Sequence, residues 1–478
     1  MSRYEPVIGL EVHAQLLTRT KMFCSCSAAY GGEPNTRVCP VCLGLPGALP
    51  VVNEKAVAAA VKMGLATGCR IAPRSVFARK NYFYPDCPKN YQISQYEKPL
   101  CEGGSLVMNG GQKRIGITRI HLEEDAGKLL HDEYDDYSLA DMNRVGVPLI
   151  EIVSEPDIRS PQEAAEYMQK LRTLLRYLEI CDGNMEEGSL RCDVNVSLRE
   201  KGSETFGTRT EVKNLNSFKA VEQALQFEIE RQEKLLTAGK EVEQATLLWD
   251  SVKGVSQVMR SKEEAHDYRY FPEPDLLVLE VPESIIEQAR GEMPELPDAR
   301  AARFVGELSL PPYDAQVLTG AREIADYFEE TAGALGDAKA ASNWVMGEVL
   351  RELKERKVDI TQFRVRPGQL AELIVEVKAG RINIPTAKEV FREMSESGGG
   401  ARDIIAVRGL AQISDEGALN SVIAGVLDNN PEEVSKYLAG KEKLLKFLVG
   451  QVMKETRGKG NPQKVGELLK RALEERRS

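Results

Sequence analysis

The sequence predicts an α+β chain: an N-terminal domain on a largely antiparallel sheet, followed by all-helical domains. Three observations point there. Residues 1 to about 290 carry short alternating segments and turn signals such as Asn109-Gly110 and Pro85-Asp86, with helical patterns interrupting them. The character changes near Met293-Pro294, and from Asp298 onward almost every window repeats at helical spacing. The stretch from Ser395 to Gly400, SESGGG, reads as a hinge between two helical parts. The expected domains are therefore 1–292, 293–401 and 402–478.

The whole chain has 478 residues, 42% hydrophobic and 28% charged, as in ordinary globular proteins of several domains. No run approaches the roughly 18 apolar residues of a membrane helix. The opening MSRYEPVIGLEVHAQ alternates like a strand and lacks the parts of a signal peptide, so a cytoplasmic location is expected. A net charge of −10 excludes a global field for nucleic acid and leaves local basic patches to make any such contact. Pro161 to Leu178 has apolar residues at helical spacing behind Ser160, and Ser217 to Leu236 is a second long amphipathic helix.

The strand alternation carries the chemistry. In Val7 to Leu16, Ile8, Leu10, Val12 and Ala14 share one face while Glu11, His13 and Gln15 share the other. Arg191, Asp193 and Asn195 alternate in the same way with Cys192, Val194 and Val196, and Arg209, Glu211 and Lys213 fall together. A solvated sheet face produces the same pattern. Two acids argue for more: Glu124 extends the apolar face of Ile120 and Leu122, and Glu151 sits inside the run Val147 to Val153, where a carboxylate is costly unless paired or metal-bound. Glu11, His13, Glu123, Glu124, Glu151, Asp193 and Glu211 thus read as a carboxylate-rich cradle suited to Mg²⁺ bridging phosphate oxygens. Arg79, Lys80, Arg191 and Lys213 offset phosphate charge, with Ser189 a further candidate phosphate contact. No GxxxxGK[ST] loop occurs.

Cys24-x-Cys26, twelve residues, then Cys39-Pro-Val-Cys42 has the paired spacing of a tetrahedral structural zinc site; the remaining five of nine cysteines read as buried packing residues. From Lys436 to Ser478 there are twelve Lys/Arg and five Asp/Glu, a difference of +7. Lys454, Arg457, Lys459 and Lys464 surround a Gly458-Lys459-Gly460-Asn461-Pro462 loop that suits a phosphate backbone, although a solvated helix face would look similar.

These segments together resemble the B subunit family of tRNA-dependent amidotransferases. The matching strings are Ile8-Gly-Leu-Glu-Val-His13, Arg37 to Gly47 (RVCPVCLGLPG), Lys80-Asn-Tyr-Phe-Tyr-Pro85, Tyr91 to Tyr96 (YQISQY) and His121-Leu-Glu-Glu-Asp-Ala-Gly127. They continue with Asn143 to Pro156, Met185 to Cys192 (MEEGSLRC), Lys213 to Phe218, Arg260 to Asp275 and Phe447 to Met453, so the resemblance spans the chain. It implies a glutamine-synthetase-like cradle, a helical domain and a YqeY-like tail. It also implies a heterotrimer with an amidase A subunit and a small C subunit, acting on Asp-tRNA(Asn) or Glu-tRNA(Gln) with ATP. The family's Mg²⁺ positions fall, by motif, on Glu11, His13, Glu124 and Glu151. One departure is the stretch QATLLWDS, Gln244 to Ser251, where an Arg near Leu247 and an acid near Ser251 are expected. A non-catalytic tRNA-binding scaffold is the competing reading, and it would not need acids inside apolar strands.

Overall fold

The strand Tyr4–Gln15 is the hub of the structure, a computed structural model that describes residues 3–131, 137–261, 268–412, 416–456 and 460–476. Ile8, Leu10, Val12 and Ala14 on one face are at most 1% exposed. The hub pairs antiparallel with Pro148–Ser154 on one side and Leu190–Glu200 on the other. Outward from Pro148–Ser154 come Lys113–Glu124, Cys101–Met108 and Arg70–Ile71; outward from Leu190–Glu200 come Thr210–Lys213, Ala245–Asp250 and Val255–Ser261. The nine strands pair antiparallel except Thr210–Lys213 with Ala245–Asp250. A smaller sheet of Phe271–Pro272, Ala78–Asn81 and Tyr91–Ser94 lies beside it.

The apolar face is covered by three helices, Glu54–Ala66, Pro161–Tyr177 and Phe218–Thr237, which supply Ala60, Met168, Leu171, Val221 and Leu225 to one core. Both anticipated helix starts are capped as their sequences imply: Ser160 Oγ accepts from the Glu163 amide at 3.2 Å, and Ser217 Oγ from the Ala220 amide at 3.0 Å. The atypical stretch QATLLWDS forms the strand Ala245–Asp250, in which Leu247 and Trp249 are buried and Trp249 packs 6.0 Å from Phe227.

The helix layer approaches the sheet closely at Gly104. A β-carbon there would meet Cys69 Sγ at 2.4 Å and the Thr67 carbonyl oxygen at 2.8 Å. We expect Gly104→Ala to destabilise this unit by ~1–3 kcal/mol, the cost of overpacking a closed core. The check is urea unfolding followed by Trp249 fluorescence in a Trp344→Phe background, since the chain has two tryptophans.

The chain divides into compact units at Met1–Pro297 and Asp298–Ser478. The second is helical and holds two apolar clusters, one from Phe304 to Ile405 and one from Leu419 to Leu473. The expected hinge from Ser395 to Gly400 is a tight turn inside the first cluster. Ser395 to Ser397 complete the helix Ile384–Ser397, Gly398 closes it at φ 74°, and Gly400 caps the next helix, Ala401–Val407. Met394, Ala401, Ile404 and Ile405 share one core, so the boundary expected at Arg402 falls within a packed pair of helices. Among the described residues no helix is long and apolar enough to cross a membrane.

Candidate functional site

The face of the large sheet opposite the three helices gathers the polar residues, because a strand alternates with period two and antiparallel register aligns the alternations. His121 opposes Glu151, Glu151 opposes His13, and His13 opposes Arg191, forming one row across four strands. In the next row Glu11 opposes Asp193, and beyond it Asn195 opposes Glu211.

The centre is an imidazole between carboxylates. His13 Nε2 lies 3.4 Å from Glu123 Oε1 and 3.7 Å from Glu151 Oε2, and His121 Nε2 lies 3.1 Å from the same Glu151 oxygen. One ligand atom from each of His13, Glu123 and Glu151 lies within 4.8 Å of the others. Burial works to raise the Glu151 carboxyl, but His121, His13 and Lys80 outweigh it and hold Glu151 well below the usual carboxylate range. Glu11 goes the other way: burial first, then the charges of Glu151, Glu211 and Asp193, push it up. Acids this crowded, with oxygen and imidazole donors converging, fit a divalent cation such as Mg²⁺.

Cations flank the cluster. Lys80 Nζ sits 4.9 Å from the Tyr268 ring; burial opposes its charge, but Tyr270, Glu123 and Glu151 together raise its pKa. Lys213 pairs with Asp193 and lies 3.4 Å from Glu211; Arg191 donates to Asp125 at 2.9 Å, and Asn195 Nδ2 donates to Glu11 at 2.9 Å.

Three anticipated residues lie elsewhere. Glu124, next to Glu123, belongs to the opposite face of its strand, where Lys89 pairs with it and the Ile93 amide donates to it at 2.9 Å. It lines a cavity of about 200 Å³ with Lys21, Cys42 and Lys89. The expected set Glu11, His13, Glu124 and Glu151 is therefore not brought together; Glu123 stands where Glu124 was expected. Arg79 is held bidentately by Glu273, both contacts at 2.8 Å, and stacks 4.2 Å from Tyr91. Ser189 Oγ bonds Asp182 and the Asn184 carbonyl, bracing the turn before the strand Leu190–Glu200. His121 joins the row without having been anticipated; it shares the parity of Glu123 in IHLEE, and that spacing was the available signal.

The sulfur atoms of Cys24, Cys26, Cys39 and Cys42 lie within 4.8 Å of one another. The Cys39 amide donates to Cys42 Sγ at 3.2 Å. Lys21, 0% exposed, places its ammonium 3.7 Å from the same sulfur and donates to the Arg37 carbonyl at 2.7 Å. A buried ammonium needs an anionic neighbour, and a tetrathiolate zinc centre carries net negative charge, so the donor set fits zinc. Cys69, Cys87, Cys101, Cys181 and Cys192 are buried. In the second unit Lys464 lies 3.3 Å from Glu416, and Lys454 is in the last turn of the helix Leu444–Glu455; Arg457 and Lys459 lie outside the described residues.

Residues 6–287 match the family described as the GatB/GatE catalytic domain, and residues 326–473 match the GatB domain. The chain is similar to the B subunit of the aspartyl/glutamyl-tRNA(Asn/Gln) amidotransferase of Thermodesulfovibrio yellowstonii, at 58% identity over 475 residues, covering 99% of this chain and 100% of the relative. The protein of the same name from Moorella thermoacetica is 58% identical over 474 residues, covering 98% and 100%. That from Prosthecochloris aestuarii is 56% identical, covering 99% and 98%. The chain belongs to the family of aspartyl/glutamyl-tRNA(Asn/Gln) amidotransferase B subunits.

Proposed function

We propose that this chain activates the side-chain carboxyl of Asp-tRNA(Asn) or Glu-tRNA(Gln) with ATP and converts it to the amide, within a heterotrimer whose amidase A subunit supplies ammonia and whose third member is a small C subunit. The observation that carries the reading is the His121–Glu151–His13–Arg191 row with Glu123 beside it, a largely buried polar constellation on the sheet face opposite the helices. His13, Glu123 and Glu151, with Glu11 adjacent, would hold Mg²⁺, which supplies charge neutralisation to the phosphates. Lys80 and Lys213 stabilise charge at the transferring phosphoryl group, Lys80 from the smaller sheet and Lys213 from the large one. The substrate carboxylate oxygen bonds to the γ-phosphorus as ADP leaves; ammonia then attacks the acyl carbon and inorganic phosphate departs. The family's expected metal position Glu124 faces the small cavity instead, and we assign it to holding Lys89. The Cys24, Cys26, Cys39 and Cys42 cluster would hold a structural zinc, since four protein donors leave no open position.

The direct test is ATP consumption by the assembled complex with each misacylated tRNA. Turnover that depends on misacylated tRNA is expected. Its absence, with intact tRNA binding, would leave the chain a scaffold.

The basic tail is assigned to tRNA. Because the helix Ala401–Val407 belongs to the preceding core, the informative truncation follows Leu410. It is expected to raise the KM for misacylated tRNA and flatten the salt dependence of binding, while glutamine hydrolysis by the complex persists. Unchanged affinity for tRNA would reduce the patch to a solvated surface.

A further inference from the structure

Behind the strand that carries Glu211 and Lys213 lies a buried polar network in an otherwise apolar layer. Thr210–Lys213 is four residues long and matches Leu190–Glu200 at three positions, Val194 with Val212, Asn195 with Glu211, and Val196 with Thr210. Of its inward side chains only Val212 is apolar, so hydrophobic patterning specifies its register weakly. A slip of one residue would turn Glu211 into the helix layer and Thr210 toward the polar face.

The helix Phe218–Thr237 supplies what patterning lacks. Glu228 and Gln232, one turn apart, are both 0% exposed, as is Thr210. Gln232 Nε2 lies 3.0 Å from Thr210 Oγ1 and 3.2 Å from the Val196 carbonyl oxygen, so one amide touches both members of a cross-strand pair. The Thr210 hydroxyl donates to Glu228 Oε1 at 2.8 Å, and Arg231 donates to both Glu228 oxygens at 2.7 Å. A buried network of this kind is often less stabilising than apolar packing of equal volume, so stability alone does not account for it.

We propose that Thr210, Glu228 and Gln232 form a register lock, positioning residues that hold Glu211 and Lys213 at the ATP-binding face. The proposal rests on the assignment of that face to ATP chemistry. The contacts are specific to one register: only with Thr210 opposite Val196 do a hydroxyl and a carbonyl present themselves together to Gln232. The lock acts through the backbone, and none of its three members faces the substrate side.

The experiment uses the complex assembled with Thr210→Val/Glu228→Leu/Gln232→Leu, with Thr210→Val and Thr210→Ser as single variants and Glu211→Gln as the reference. The thermal midpoint of the triple variant should be equal or higher, while the KM for ATP rises at least tenfold. Thr210→Ser, which keeps the hydroxyl, should match the parent, and Thr210→Val should move KM in the direction of the triple variant. An unchanged KM in a triple variant of retained midpoint overturns the lock. If the triple variant melts early, the Thr210→Val and Thr210→Ser pair decides, and equal KM values there overturn it as well. Glu211→Gln separates the two levels. If it raises KM while the lock variants do not, the lock alone falls. If Glu211→Gln leaves KM unchanged, the assignment of the face to ATP fails and the lock falls with it.

Discussion

Glu151→Gln should yield a folded chain that still assembles and supports glutamine hydrolysis, but ATP-dependent amidation should fall by on the order of 100-fold or more. Glu151 is the middle of the polar row, 3.7 Å from His13 and 3.1 Å from His121. Gln keeps its size and one acceptor, so the sheet loses little packing. What disappears is the negative charge, which the two imidazoles and Lys80 now stabilise and which a divalent cation needs. Glu124→Gln is the informative contrast. Its partner Lys89 has an 8% exposed side chain, so neutralising the acid strands a buried ammonium, at a cost of ~3–5 kcal/mol to folding. Measured together, ATP consumption should separate Glu151→Gln from the parent, and the melting temperature should separate Glu124→Gln. Near-normal ATP consumption by a well-folded Glu151→Gln complex would remove the row from the chemistry.

Cys39→Ala should lose about one zinc per chain by elemental analysis of protein purified without added metal, and the unit Met1–Pro297 should lose several kcal/mol of stability. Structural zinc in small peptides contributes ~10 kcal/mol or more, and a larger fold retains part of its structure without it. The loss should be local at first. Lys21 would keep the Arg37 carbonyl but face a broken anionic centre, and the adjoining cavity wall of Cys42 and Gly44 to Gly47 would loosen. A chelator should reproduce the effect on the parent and leave the variant unmoved. Full zinc retention in Cys39→Ala would dismiss the site.

The polar face was legible because period two in a strand is rigid: Glu11 and His13 share a side of one strand, Arg191 and Asp193 share a side of another, and Glu151 stands out as an acid inside an apolar run. The four cysteines were legible from spacing alone. What sequence could not give was pairing at long separation. Glu124 was correctly placed on an apolar face where its charge needs a partner, but that partner, Lys89, is thirty-five residues away and arrives on the turn before the strand Tyr91–Ser94. Arg79 looked available for phosphate because Glu273, which occupies it, lies far along the chain. The triple glycine after Ser397 suggested freedom. The left-handed cap at Gly398 and the apolar residues on both sides, Met394 and Ile404, make it a packed corner instead.

The hub strand has a consequence for how the molecule comes to exist. Tyr4–Gln15 is the first strand in sequence, yet its neighbours are Pro148–Ser154 and Leu190–Glu200, with Tyr4 opposite Glu200. On a ribosome, this segment emerges and then waits for nearly two hundred residues before both edges can be paired. A long, half-apolar strand with two open edges is what chaperones bind and aggregates recruit. Closing such distant pairings is also slow compared with forming helices from neighbouring residues. The helical unit that follows can form within moments of its synthesis, whereas the polar face is assembled in two stages: Glu151 and His121 can align with His13 once Pro148–Ser154 is made, but Arg191 and Asp193 are missing until Leu190–Glu200 arrives.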